Sequence, residues 1–193
     1  MSGLSSNSAF HPVLPANALV PKRGFGLGLG AHVYVASLGI ARIGIGVDVL
    51  RVRGAAATPA ATTTTSTATT TSTRASALSA TDPIDVATTM TAIAPQVSFN
   101  FGTREGWSYL SGGYGAAEIR TVASGQRAGP PTGSTTVVRD DGRAAAINYG
   151  GGARWFIKEH MAVGFDLRIH RVAAIGTRPS TRSVAVSVGL SVR

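Results

Sequence analysis

The chain has 193 residues, enough for one domain with a sizeable core and too few for two comfortable ones. It is 44% hydrophobic but only 14% charged, with 24 Gly, no Cys and a formal net charge of +9. That excludes a highly charged disordered chain, a disulfide scaffold and a thiolate metal site.

No apolar run approaches the ~20 residues of a membrane-spanning helix. The cation excess is spread over 16 Arg and 2 Lys, in runs no longer than Lys22-Arg23. A nucleic-acid binder clusters its cations and interleaves stacking aromatics, so no nucleic-acid partner is expected.

Residues 1–23 contain Pro12, Pro15 and Pro21 and no periodicity, and read as an irregular N-terminal segment or outer loop. They lack the basic and apolar regions of a signal peptide. From Gly24 the chain alternates: Phe25, Leu27, Leu29, Ala31, Val33 and Val35 fall on one face, with four glycines, His32 and Tyr34 on the other. Side chains of a strand alternate faces, so this predicts a strand with one apolar side. After a short connection, Ile43, Ile45, Val47 and Val49 oppose Arg42, Gly44, Gly46 and Asp48.

The pattern breaks over 54–84, which is expected to be a long loop. Ten of the sixteen residues of Thr58–Thr73 are Thr, and the tract has no apolar face to bury. Alternation resumes with Ile93, Pro95, Val97, Phe99 and Phe101. Pro95 cannot donate to a ladder, which predicts a bulge or a strand start there. Trp107–Val122 forms a further strand. Its large residues change face between Tyr109 and Leu110, which predicts a bulge near Gly112-Gly113. A second long loop is expected over 123–143, with Asp140-Asp141-Gly142 as a turn signal.

The last three strands are clear. Ile147, Tyr149, Gly151, Ala153, Trp155 and Ile157 alternate against Asn148, Gly150, Gly152, Arg154 and Phe156. A tight turn at Lys158-Glu159-His160 leads to Met161, Val163, Phe165, Leu167 and Ile169, opposite Gly164, Asp166, Arg168 and His170. Val184, Val186, Val188, Leu190 and Val192 then oppose Ala185, Ser187, Gly189 and Ser191.

Seven strands of about 10 residues or more, alternately joined by short and long connections, fit an all-β, antiparallel, up-and-down transmembrane β-barrel. The barrel domain is 24–193. Its apolar face would meet lipid, its polar and glycine face would fill the lumen, and Tyr34, Trp107, Tyr109 and Trp155 would lie near the membrane interfaces.

The stretch from Ala146 through Ile157, its turn, and Val163-Gly164-Phe165-Asp166-Leu167-Arg168 resemble the outer-membrane β-barrel domain family, the small OmpA-like eight-stranded barrels of bacteria. The resemblance covers 24–193 and is carried most by 144–172. It implies an outer-membrane location in contact with outer-membrane lipid, with short turns in the periplasm and long loops outside, where an extracellular partner would be met. Such barrels have an even strand number and seven are visible, so an eighth is expected. One account puts a signal and a first strand ahead of Met1, with 1–23 as the first outer loop. The other pairs part of 4–20 as a short irregular strand.

Candidate chemistry is sparse. Gly26-Leu27-Gly28-Leu29-Gly30-Ala31 fits a dinucleotide fingerprint in letters, but alternation runs through it and no helix starts there. Arg42, Asp48, Arg154, Asp166, Arg168 and His170 share the polar faces and are expected to form a lumen network, because buried charges must be paired. Asp140-Asp141 has no His–Asp pair at the same rim, and His11, His32 and His160 have no ligand-like spacing. No catalytic group, metal or cofactor is therefore expected. The leading expectation is a non-enzymatic outer-membrane protein with a filled lumen, structural or acting through its loops. An outer-membrane enzyme acting on lipid or peptide and a soluble lipocalin-like carrier are the alternatives; a carrier would turn its bulky apolar face inward.

Overall fold

The computed structural model describes residues 2–3, 14, 18–60, 82–102, 105–126 and 133–192. The Thr-rich tract falls almost wholly outside them. The fold is all-β, an antiparallel up-and-down sheet of seven long strands with a two-residue strand at one edge. In chain order these are β1 (Ser2–Gly3), β2 (Arg23–Leu38), β3 (Ala41–Thr58), β4 (Ile84–Gly102), β5 (Gly106–Gln126), β6 (Ser134–Lys158), β7 (Met161–Val172) and β8 (Thr181–Val192). Among the described residues, no helix is long and apolar enough to cross a membrane.

Connections alternate in length. The β2–β3 turn is Gly39–Ile40, with Gly39 at φ +57°, a conformation open to glycine at no steric cost. The β4–β5 connection and the β6–β7 turn at Glu159–His160 are the other two short ones and lie at the same end. The β3–β4, β5–β6 and β7–β8 connections lie at the opposite end.

The sheet is strongly curled. Asp48 on β3 and Arg168 on β7 are four strands apart, about 19 Å in a flat sheet at the usual strand spacing. Their charged ends are nevertheless 3.9 Å apart. Among the described residues, β8 forms a ladder with β7 and β2 pairs with β1 at Arg23 and Gly24, and no ladder joins β2 to β8.

Strands reach further than their alternation predicts. β3 continues to Thr58 and β4 begins at Ile84, so 54–58 and 84–91 are strand, paired in unbroken register down to Thr58 opposite Ile84. Likewise 123–126 and 134–143 belong to β5 and β6. The reason is an exchange of roles between the two faces. On β4, Ile93, Val97, Phe99 and Phe101 point outward, whereas beyond Ala92 the apolar residues Met90, Val86 and Ile84 are buried on the inner face. The outer face there carries Asp85, Thr89 and Thr91 instead.

Three local expectations are corrected. Pro95 lies in the interior of β4, opposite Val47; the ladder to β5 omits 94–95 but resumes in the same register. There is no bulge at Gly112-Gly113. Tyr109 faces inward and Leu110 and Tyr114 outward on a regular strand. The β5–β6 bulge sits instead between Glu118 and Arg120, where Asp140-Asp141-Gly142 is not a loop turn but part of β6. Gly142 takes φ +72° and its N–H donates to Asp140 Oδ1 at 3.0 Å, the local geometry a bulge of this kind uses.

Candidate functional site

Two stacked zones fill the inner face. Toward the short turns it is polar. Arg154, on β6, is the hub: Nη2 donates to Asp166 Oδ2 at 2.6 Å and to the Tyr109 hydroxyl at 3.1 Å. Its Nε donates to Ser191 Oγ at 2.9 Å, and Nη1 to the Phe165 carbonyl at 3.1 Å. Arg168, one inward step beyond Asp166 on β7, donates from Nη1 to Gln96 Oε1 at 2.8 Å and pairs with Asp48. Asn148 Nδ2 reaches the same Asp48 carboxylate at 3.5 Å. Residues of β3, β4, β5, β6, β7 and β8 thus converge on one interior network.

All six residues expected there, Arg42, Asp48, Arg154, Asp166, Arg168 and His170, line one interior cavity. His170 is buried with no hydrogen-bond partner for Nε2. Arg42 is the exposed member, near the short-turn end, and its backbone carbonyl accepts from Asn100 Nδ2 at 3.3 Å. Tyr109, Gln96, Asn148 and Ser191 were missed. They share the inward parity of their strands, which was available as a signal, but uncharged residues give no cue to which cation they will meet.

Small residues make room for this network. A Cβ on Gly164 would strike the Ala153 carbonyl oxygen and sit 2.6 Å from Arg154 Cδ. Trp107 and Phe156, with ring centroids 5.1 Å apart, face the interior at the short-turn end. Of the four aromatics expected near membrane interfaces, Tyr109 and Trp107 therefore lie on the inner face of the sheet. Tyr34 is half-exposed on the open side, and Trp155 faces outward, stacked on Phe165 with centroids 5.9 Å apart.

Toward the long connections the interior is apolar. Met90, Ala92, Ala117, Ile119, Ala144, Ala146 and Val172 form one buried cluster, with Leu50 and Ile175 packed against it. Beyond a Thr88–Thr121 hydroxyl contact of 3.3 Å, Ile84, Val86 and Ala123 form a second. Leu14 and Ala18 pack on that cluster, and Leu19 N–H donates to Thr58 Oγ1 at 2.7 Å. Part of the N-terminal segment therefore caps the interior.

The rim beside this plug holds a second charged group. Arg139 Nε donates to Asp141 Oδ1 at 2.8 Å, and its Nη2 to Thr177 Oγ1 at 2.8 Å. Arg178, 2% exposed, lies 3.7 Å from Asp141 Oδ2. Burial pulls its guanidinium below the usual range, and the Asp141 charge opposes that pull. Asp141 thus ties Arg139 and Arg178 together at the rim, while Asp140 accepts locally from the Gly142 N–H. Among the described residues, no group of three or more His, Asp or Glu could hold a metal ion.

The outer face reverses the inner one. Ile43, Ile45, Val47 and Val49 of β3 stand opposite Phe99, Val97, Pro95 and Ile93 of β4. The next outward residues, Arg51, Thr91, Glu118 and Arg143, are paired across β3 to β6 as one polar rung. Phe165, Leu167, Val186 and Val188 continue the exposed apolar surface on β7 and β8. Comparison of the chain with protein-family models and with curated proteins returned no match.

Proposed function

We propose that this chain is a non-enzymatic bacterial outer-membrane β-barrel protein whose strands cross the lipid between the short turns and the Arg51–Thr91–Glu118–Arg143 rung. The carrying observation is the outward apolar band over a polar, ion-paired inner face. On β4 the outward apolar residues run from Ile93 to Phe101, nine residues; a tilted membrane-crossing strand needs ~9–11. Exposure of so much contiguous apolar surface is otherwise a liability for a protein in water. Beyond the rung the faces exchange, as water on the outside requires, and the strand extensions stand clear of the lipid.

This arrangement favours the membrane reading over a soluble carrier, whose interior would hold the bulky apolar residues at this level. It favours a structural or rim-mediated role over catalysis, because the interior charges Asp48, Arg154, Asp166 and Arg168 are bound to one another and Asp141 at the rim is engaged by Arg139 and Arg178. The apolar plug above the charged zone supports a lumen that is blocked at that level and does not conduct. The partner is then a molecule outside the cell, met by the rim. Cell fractionation tests the reading: the protein should sediment with the outer membrane and resist alkaline carbonate extraction. Recovery in a soluble fraction would contradict it.

A further inference from the structure

Toward the long connections the outward face turns from apolar to cationic within one residue step. On five of the seven long strands the first outward residue beyond the apolar run is an exposed arginine: Arg23 on β2, Arg51 on β3, Arg143 on β6, Arg171 on β7 and Arg182 on β8. On β3 and β5, Arg53 and Arg120 follow farther along the same face. None of these arginines is ion-paired with a described residue.

Little negative charge meets them. Glu118 stands opposite Arg143, and Asp140 opposite Arg120. Arg51 is opposed by Leu27 and Thr91, and Arg53 by Phe25 and Thr89. Arg171 and Arg182 stand directly opposite each other, and like charges so placed in a sheet repel unless an anion lies between them. At the short-turn end, by contrast, exposed Arg42 and Lys158 are equalled in number by exposed Glu105 and Glu159 among the described residues.

The cationic surface is also shaped. A groove of about 830 Å³ lies on the outer face of β3 to β5, with Arg51, Arg53 and Arg120 as its cations and Ala87, Thr89 and Thr91 of β4 between them. Its carboxylates are Glu118 and, farther toward the long connections, Asp85. Residues two apart on a strand are ~7 Å apart and neighbouring strands ~5 Å, so long arginine stems on β3 and β5 reach one anion above the Thr hydroxyls. The planar, paired N–H donors of guanidinium match phosphate oxygens.

We infer, on the membrane reading above, that this arginine girdle holds the phosphate-bearing headgroups of anionic lipid in the leaflet on the long-connection side. The β3–β5 groove and the Arg171–Arg182 pair are its two seats. Position selects a lipid over a free phosphate. Each seat begins one outward residue past the apolar run, so a phosphate held there leaves its acyl chains along Val49, Ile169 and Val184. A free phosphate would use the cations alone.

The test is made on the full chain folded in neutral-detergent micelles, into which phosphatidic acid or phosphatidylcholine is titrated. Native mass spectrometry reads the lipid retained on each chain. Wild type should retain phosphatidic acid in preference to phosphatidylcholine. Arg51→Gln with Arg53→Gln should weaken that retention by about tenfold or more, as should Arg171→Gln with Arg182→Gln, since each arginine near an anionic surface is worth roughly fivefold. Arg42→Gln with Lys158→Gln, at the short-turn end, should leave it unchanged. Glycerol 3-phosphate, the same phosphate without chains, should not compete at the lipid's concentration.

Equal retention of the two lipids by wild type would overturn the inference, and so would retention that neither outward pair of substitutions moves. Equally strong competition by glycerol 3-phosphate would overturn it in favour of a soluble phosphate. Should a variant fail to fold, rising salt decides on wild type alone: exposed guanidinium–phosphate pairs are screened, so the preference should vanish, and a preference indifferent to salt would contradict the girdle. A chain that fractionates with the outer membrane yet shows no preference fails this inference alone. One recovered in the soluble fraction fails the membrane reading itself.

Discussion

Arg154 on β6 and Asp166 on β7 meet inside the curled sheet, Nη2 to Oδ2 at 2.6 Å, with both side chains largely hidden from solvent. Removing one partner leaves the other buried and uncompensated. Asp166→Leu is therefore expected to cost about 3–5 kcal/mol. Adding Arg154→Met removes the orphaned cation and should recover part of that loss. Urea unfolding in micelles checks both, and equal stability of the single and double variants would contradict a coupled pair.

At the rim, Asp141 is the counter-charge for the buried Arg178 and is held by Arg139. Asp141→Ala should cost about 3 kcal/mol by leaving Arg178 unpaired. Asp85→Ala, on the outer face of β4 at the same end, should change stability by less than about 0.5 kcal/mol. Thermal unfolding of the two variants side by side reads the difference.

The inner glycines make a different prediction. Gly164→Leu places side-chain atoms where the Ala153 carbonyl and the Arg154 stem already lie, at an expected cost of about 1–3 kcal/mol. Gly189→Leu, whose Cβ would meet nothing within 4 Å beside the open edge, should cost less. If the two cost the same, crowding is not the reason for glycine at 164.

The alternation of 24–35, 43–49, 93–101 and 147–169 made the strands toward the short turns legible, because large apolar and small polar residues there keep fixed faces. What the pattern hid begins where the faces exchange. Ala92 and Ile93 are the turning point on β4: Met90 is apolar and inward, Ile93 apolar and outward, and a reader following one apolar face sees the strand end. The same exchange concealed the ends of β3, β5 and β6. In the interior, charge revealed Asp48, Arg154, Asp166 and Arg168, since each needs a partner. Tyr109 looked like an interfacial aromatic until its inward parity set it against Arg154, which lies over its ring at 5.2 Å.

Thr58 and Ile84 are directly paired at the ends of β3 and β4, so a short linker spans them. Deleting 62–73, a Thr-rich stretch with no apolar face, should leave the unfolding midpoint unchanged within about 0.5 kcal/mol. A large loss would show that the tract packs on the rim.

The central claim is that the outward face at the level of Phe165 meets lipid. The most direct measurement is folding of the wild-type chain and of Phe165→Arg, each diluted from urea into lipid vesicles and into detergent-free buffer. Wild type should fold only with vesicles, and the arginine should weaken that folding by about 2–4 kcal/mol, as a cation does near the midplane of such a sheet. Wild type that folds to a stable monomer in detergent-free buffer would contradict the account.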